Sequence, residues 1–419
     1  MPQCALGQGG RTDALTLLGA TRYGASEAKT DSYQSRGEIM ASLRTPLCDL
    51  LGIEYPIVLA GMRGGSEQAT AATPIALVAA VSNAGGLGVM GYGFKSAQEF
   101  DEGIGKVRSL TDRPFGVDFM VPAKFAEVGS KTNKELRGEI ERDYPKHVEF
   151  VKGLVERFNL PEVEIPEEIP SESEHVTRQK VEVMLDNKVP VFACATGEPP
   201  PYIVEPAHAQ GMQIIGMVGA VRHAARQMAA GSDIICAQGT EAGGHTGNIA
   251  SSVLIPQIVD YVKPRPVLAA GGIGSGRHVA SAMALGAQGV WVGTAFLASE
   301  ETNIPEHYQE TLIAGRSEQF TASKFGDGMQ ARGFDDEVKR AWEASGLQPL
   351  PMPLMAILNE PLSLGARESG RNDLVNKPGG QIAGMVTERR PAKDMLMSLV
   401  EEAEETIEQL QSNVDAMTT

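Results

Sequence analysis

The sequence predicts an α/β protein folded as a (β/α)8 TIM barrel. Three observations carry this: eight short apolar runs between residues 56 and 297, glycine-rich turns after several of them, and helix-compatible stretches between them. The runs are 56–60, 87–91, 115–119, 190–194, 212–217, 233–237, 267–270 and 289–293. Most are continuously apolar and lack the alternation of a half-solvated sheet, as parallel strands buried on both faces do. Helical stretches fall at 74–84, 97–109, 176–187, 219–230, 251–262 and 276–286. Eight strands are the number that closes such a barrel; an open doubly wound sheet is the competing arrangement.

Composition bounds the rest. The 419 residues suffice for one large barrel with additions, and 42% apolar with 21% charged residues is ordinary for a soluble globular protein. Set against 53 acidic residues, 37 basic ones leave a net charge of −16, which argues against nucleic acid and against anionic membrane surfaces as partners. No apolar run approaches the ~18 residues of a membrane span. Four cysteines (Cys4, Cys48, Cys194, Cys236) form no CxxC pair and no metal-ligand spacing, so a reduced, cytoplasmic setting is expected.

The chain divides into three parts. Residues 1–39, polar and without periodicity, are expected to be a disordered N-terminal extension. Residues 40–300 hold the barrel, interrupted after the third strand by a charged insertion, 123–175, with a helical part over 131–158 and a Pro/Glu-rich linker. This insertion reads as a solvated appendage. Residues 301–419 form a helical extension packed on the barrel. Its stretch 393–411 sets Met395, Leu396, Leu399, Ala403, Ile407 and Leu410 on one helical face, a docking stripe.

In such barrels the chemistry sits at the carboxyl ends of the strands, and phosphate groups favour the loops after strands seven and eight. Strand seven runs into Gly271-Gly272-Ile273-Gly274-Ser275-Gly276 and strand eight into Gly293-Thr294. Glycines let main-chain amides approach a phosphate, a following helix N-terminus adds positive potential, and Thr294 offers a hydroxyl. Strand one ends in Ala60-Gly61-Met62, small residues and a thioether suited to a flat ring. Strand six delivers His245 from the loop Gln238–Gly247, bracketed by Gly243, Gly244 and Gly247. That setting favours a catalytic or ligand-binding histidine over a core one. The other six histidines read as structural or superficial. The sequence shows no metal-ligand cluster of His, Asp and Glu and no serine nucleophile elbow.

The segments QGTEAGGHTG, LAAGGIGSGRHVASAMALGAQGVWVGTAF and GGQIAGMV resemble the nitronate monooxygenase family, formerly the 2-nitropropane dioxygenases, from about residue 43 to 411. Its FMN-barrel superfamily also contains flavin-dependent enoyl-thioester reductases and quinone reductases. The resemblance implies that Ala60, Gly61 and Met62 line an FMN ring and that Asp118 contacts it. It sets Gln238 and Gly244 beside the cofactor, with Gly271, Gly272, Gly293 and Thr294 on its phosphate. His245 becomes the catalytic base, with Gln381 and Gly384 at the rim on the substrate side. Departures are Asp118 for the usual Asn, Thr246 where Arg is frequent, and Ala295 where GTRF is common. An Asp near the ring would disfavour a reduced anionic flavin.

The implied reaction is oxidation of an alkyl nitronate, of the propionate-3-nitronate type, by FMN and dioxygen to a carbonyl compound and nitrite. The expected partners are a small-molecule substrate and dioxygen, with a homodimer left open. The alternative is an NAD(P)H-dependent FMN reductase of enoyl thioesters or quinones. A flavin-free barrel acting on a sugar phosphate and a non-catalytic flavin binder are rivals of other classes.

Overall fold

The apolar runs form the staves of a barrel. The structure, a computed structural model, describes residues 43–62, 71–91, 96–121, 131–164, 167 and 174–418. The expectation of disorder over 1–39 lies outside these residues, as do parts of the 123–175 insertion. The strands are β1 (Ile57–Leu59), β2 (Gly88–Gly91), β3 (Phe115–Met120), β4 (Val191–Ala195), β5 (Gln213–Val218), β6 (Ile234–Gln238), β7 (Val267–Ala270) and β8 (Gly289–Val292). They pair in parallel in the order β1-β8-β7-β6-β5-β4-β3-β2. A bridge between Val58 and Leu87 joins the two ends, with the Leu59 amide donating to Leu87 O at 2.9 Å. The eight apolar runs are therefore the eight strands of an α/β TIM barrel, within a residue or two at each end.

Alternation along each strand separates two cores. Val58, Ala60, Val89, Val191, Ala193, Ile215, Ile234, Cys236, Leu268, Ala270 and Trp291 point inward and pack together. Helix Pro46–Leu51 adds Leu47, Cys48 and Leu51 to that cluster. Thr45 Oγ1 donates to Gln288 O, just before β8, so this helix plugs the amino-terminal end of the barrel. The intervening positions, among them Ile57, Leu59, Val117, Phe119, Phe192, Ile214, Ile235, Val290 and Val292, face the surrounding helices.

The insertion is not a solvated appendage. It forms two helices, Asn133–Asp143 and Pro145–Arg157, divided at Tyr144 because Pro145 starts a new helix. Thr132 and Glu135 make a reciprocal capping box at the first. Leu136, Ile140, Val151 and Leu154 pack with Trp342, Met355, Leu358 and Leu362 of the extension, building a further hydrophobic core outside the barrel. Charge density along 131–158 concealed this narrow apolar stripe.

Within 301–419 the chain forms helices and also an antiparallel hairpin, β9 (Phe320–Ser323) and β10 (Ala331–Phe334). The last helix, Ala392–Thr418, packs on the helix Gly276–Ala284 that follows β7. Its docking stripe is shorter than the sequence suggested. Met395, Leu396, Leu399, Val400 and Ala403 are buried, whereas Ile407 and Leu410 are 40% and 53% exposed. The helix has run past its neighbours by that point.

Candidate active site

At the carboxyl end of the barrel the inward positions shrink. Ala60, Ala270 and Gly293 occupy them at the ends of β1, β7 and β8, where larger residues would crowd the mouth. The chain after β1 is held to this floor by Thr73, which is fully buried. Its Oγ1 accepts the Met62 amide at 3.2 Å and the Gly91 amide at 3.1 Å, and donates to Met62 O at 2.7 Å. Gly91 must be glycine, since a Cβ there would lie 1.6 Å from Met62 O. A Cβ on Gly293 would stand 3.4 Å from Ala60 Cβ and 3.5 Å from Met62 Sδ. The structure thus brings Ala60, Met62 and Gly293 together, and Gly61 lies against the Asp118 side chain.

Asp118 is buried, and its Oδ1 has no hydrogen-bond partner. Burial pushes its carboxyl up to about 8, so it is neutral at neutral pH. A neutral acid can donate a hydrogen bond much as asparagine does. Thr196, just past β4, holds a left-handed φ of 66° and buries an equally unpartnered Oγ1. Each is a buried polar atom that a bound polar group would satisfy. The neighbouring Cys194 and Cys236 thiols are pushed up by burial, hence unreactive.

The glycines after β7 divide their duties. Gly271 (φ 89°) and Gly272 (φ 75°) adopt the conformation that glycine tolerates best. Gly271 is packed against the Gly239 backbone, while Gly272 faces only Glu241 carbons at 3.5 Å or more. Gly276 serves packing instead, because a Cβ would come within 2.2 Å of Ala403 N in the last helix. The first amide of helix Gly276–Ala284 is also engaged, donating to the Glu402 carboxylate at 2.6 Å. One of the amides of this helix N-terminus is thus committed to Glu402.

Thr294 Oγ1 accepts the Gly380 amide at 2.9 Å, and the Gln381 amide donates to Glu241 O at 2.9 Å. These bonds bring Gln381 to the rim beside the β6 and β8 loops. Gly384 does not reach it; it is exposed and abuts Ser317. Glu241, which the sequence reading overlooked, turns its carboxylate to the Ser251 amide and hydroxyl at 2.9–3.1 Å, capping helix Ser251–Val262. Its charge is thereby directed to that helix N-terminus.

His245 is fixed through its backbone, its two chain neighbours and its ring. Its backbone pairs with Ala331 of β10, and Gly244 pairs with Arg332. Gln238, at the inward end of β6, donates from Nε2 to His245 O at 2.7 Å. The Thr246 amide donates to Gln330 O, while Thr246 Oγ1 donates to Gly239 O. The imidazole Nε2 lies 2.6 Å from Asp327 Oδ2, both side chains being half-buried. A Cβ on Gly244 would meet nothing within 4 Å, so that glycine faces open space. Burial opposes ionisation of Asp327, but hydrogen bonds from His245 and the Met329 amide hold its carboxyl below the usual range. Asp327 was invisible to the sequence reading. It lies 82 residues from its partner in a polar turn without a motif.

Among the described residues, no helix is long and apolar enough to cross a membrane. Comparison with known proteins agrees with the geometry. The family model described as nitronate monooxygenase matches residues 44–402. A Staphylococcus aureus protein named "Probable nitronate monooxygenase" is 32% identical over 365 residues, covering 84% of this chain and 96% of its own. The nitroalkane oxidase structure from Streptomyces ansochromogenes superposes with a TM-score of 0.73 at 28% identity, covering 87% of this chain and 99% of that one. FabK from Thermotoga maritima gives 0.66 at 27% identity, over 88% and 99%. The chain is an oxidoreductase and belongs to the nitronate monooxygenase family.

Proposed function

We propose that this enzyme binds FMN at the carboxyl end of the barrel and oxidises alkyl nitronates with dioxygen, giving a carbonyl compound and nitrite. The observation that carries the reading is the unpartnered, buried Oδ1 of Asp118 against Gly61, at the barrel end where the β6 loop presents His245. When bound, the flavin supplies the electron-accepting chemistry. Everything else falls to this chain. Ala60, Gly61 and Met62 would flank the ring, Asp118 would donate to it as a neutral acid, and Gln238 and Gly244 would lie beside it. Gly271, Gly272, Gly293 and Thr294 would receive the phosphate, with the Thr294 hydroxyl proton available because its oxygen already accepts from Gly380. His245 would take the α-proton of a neutral nitroalkane, and Gln381 would border the substrate.

A paired assay tests the reading. Oxygen uptake with propionate-3-nitronate is expected, without any requirement for NAD(P)H. NAD(P)H oxidation with a quinone or enoyl thioester, and no nitronate turnover, would favour the reductase alternative that the likeness to FabK keeps in view. His245→Asn is expected to cut turnover of neutral nitroalkanes by about 10²–10⁴-fold, the usual span for a positioned general base, and that of preformed nitronates far less. Equal losses on both substrates would remove His245 from the role of base.

A further inference from the structure

We propose that Asp327 is a positioning residue for His245: it keeps the imidazole proton on Nε2, making Nδ1 the nitrogen that receives the substrate proton. This rests on His245 being the base. The geometry comes first. Asp327 Oδ2 is 2.6 Å from His245 Nε2, and Asp327 Oδ1 accepts the Met329 amide at 3.0 Å, so both carboxylate oxygens are committed. An ionised carboxylate only accepts hydrogen bonds, so the hydrogen in the short contact belongs to Nε2. A neutral imidazole with its proton on Nε2 carries its lone pair on Nδ1. The fall of the Asp327 carboxyl below its ordinary range agrees with this arrangement.

The turn that carries Asp327 is anchored independently of the barrel. It joins β9 to β10, and β10 pairs with the His245 backbone at Ala331. Asn359 donates from Nδ2 to Phe325 O and Gly326 O, tying the turn to the helix Leu354–Glu368. A Cβ on Gly328 (φ 92°) would lie 2.0 Å from Leu350 O, so the turn is also pressed onto the chain leading into that helix. The extension thus holds the histidine ring through Asp327 and its backbone through Ala331. In the proton transfer, the substrate C–H bond breaks, an N–H bond forms at Nδ1, and the electron pair moves onto the nitro group as nitronate. The resulting imidazolium, protonated on both nitrogens, stays beside a carboxylate that remains ionised. The pairing stabilises that charge without accepting the proton.

The test begins with the unmutated, flavin-loaded protein. Nitrogen-15 spectra of histidine-labelled enzyme, with His245 assigned by its loss in His245→Asn, are expected to show a protonated Nε2 and an unprotonated Nδ1. A proton on Nδ1 would overturn the proposal, whatever the enzyme's activity. Asp327→Asn, whose amide can donate as well as accept, is expected to mix or invert the tautomers. It should lower kcat for a neutral nitroalkane roughly 10- to 100-fold, part of the 10²–10⁴ that a positioned base supplies. KM and turnover of preformed nitronate should stay within about twofold, and Asp327→Glu should recover part of kcat. Equal losses on both substrates, or an unchanged tautomer in Asp327→Asn, would reduce Asp327 to a structural tie. If the unmutated enzyme turned over neither substrate, the proposed function would fall, and the spectra alone would decide the tautomer.

Discussion

Asp118 carries a cost that its neighbours do not offset within the protein. Its side chain is sealed beneath Gly61, with one oxygen unpartnered and the carboxyl raised from 3.8 to about 8. The native state therefore keeps this proton to a higher pH than the unfolded chain does. Stability from this group is complete below about pH 4, declines as pH rises towards 8, and changes no further above it. At pH 7 the cost is at most about 4 kcal/mol, about three pH units at 1.36 kcal/mol each. Asp118→Asn, which keeps the size and a donor, should raise the melting temperature at pH 7 to 8 and leave it nearly unchanged at pH 4. A variant whose advantage was the same at both ends would show that Asp118 is not the titrating group. The residue's position was readable at the end of an apolar run, but its charge state was not, because neutrality depends on how completely Gly61 and the neighbouring strands exclude water. His245 was readable because glycines flank it locally. Asp327 was not, because only the fold of the distant extension brings it near.

Glycines in one loop can serve different partners, and only a structure separates them. In Gly271–Gly276 the first two glycines shape the mouth, whereas Gly276 lets the last helix approach. This leads to contrasting expectations. Gly276→Leu should destabilise the whole protein, since the side chain meets the Ala403 backbone where nothing can yield. Gly293→Asp has ordinary backbone geometry (φ −111°) and adds a carboxylate at the proposed phosphate site. It should fold, yet purify without flavin absorbance, because like charges this close weaken binding by several kcal/mol. Full flavin retention in that variant would refute the placement of the phosphate. The barrel strands were legible for a related reason. A strand buried on both faces announces itself as an apolar run, whereas β9 and β10 have four mixed residues each and gain their identity by pairing with each other and with His245. The helical part of the insertion was legible over 131–158, but its docking was hidden, since its apolar stripe is narrow and its partner lies some 200 residues on.

Among the described residues the barrel and its extension are tied together, and the last helix shows how the tie works. It begins where the Ala392 amide donates to the Glu301 carboxylate at 2.9 Å, just beyond β8. One residue before its buried stripe ends at Ala403, Glu402 takes the Gly276 amide and Arg277. Between these points Met395, Leu396, Leu399 and Val400 are buried against the outer face of the barrel helices. At about 1.5–3 kcal/mol for each such side chain, their loss would approach the 5–15 kcal/mol that stabilises a typical domain. Beyond Glu404, which accepts the Leu43 amide at 3.0 Å, the helix contributes little: Ile407, Leu410, Val414 and Met417 are exposed. A chain ending after Glu405 should therefore melt within a few degrees of the full protein and keep its flavin. One ending after Arg390 should aggregate or unfold, and lose flavin as a consequence, because Gly276 and the apolar faces around it would be uncovered. Melting curves and flavin absorbance on the two truncations check this. If the shorter chain remained folded and yellow, the last helix would be an accessory instead of the clamp that secures the loop after β7.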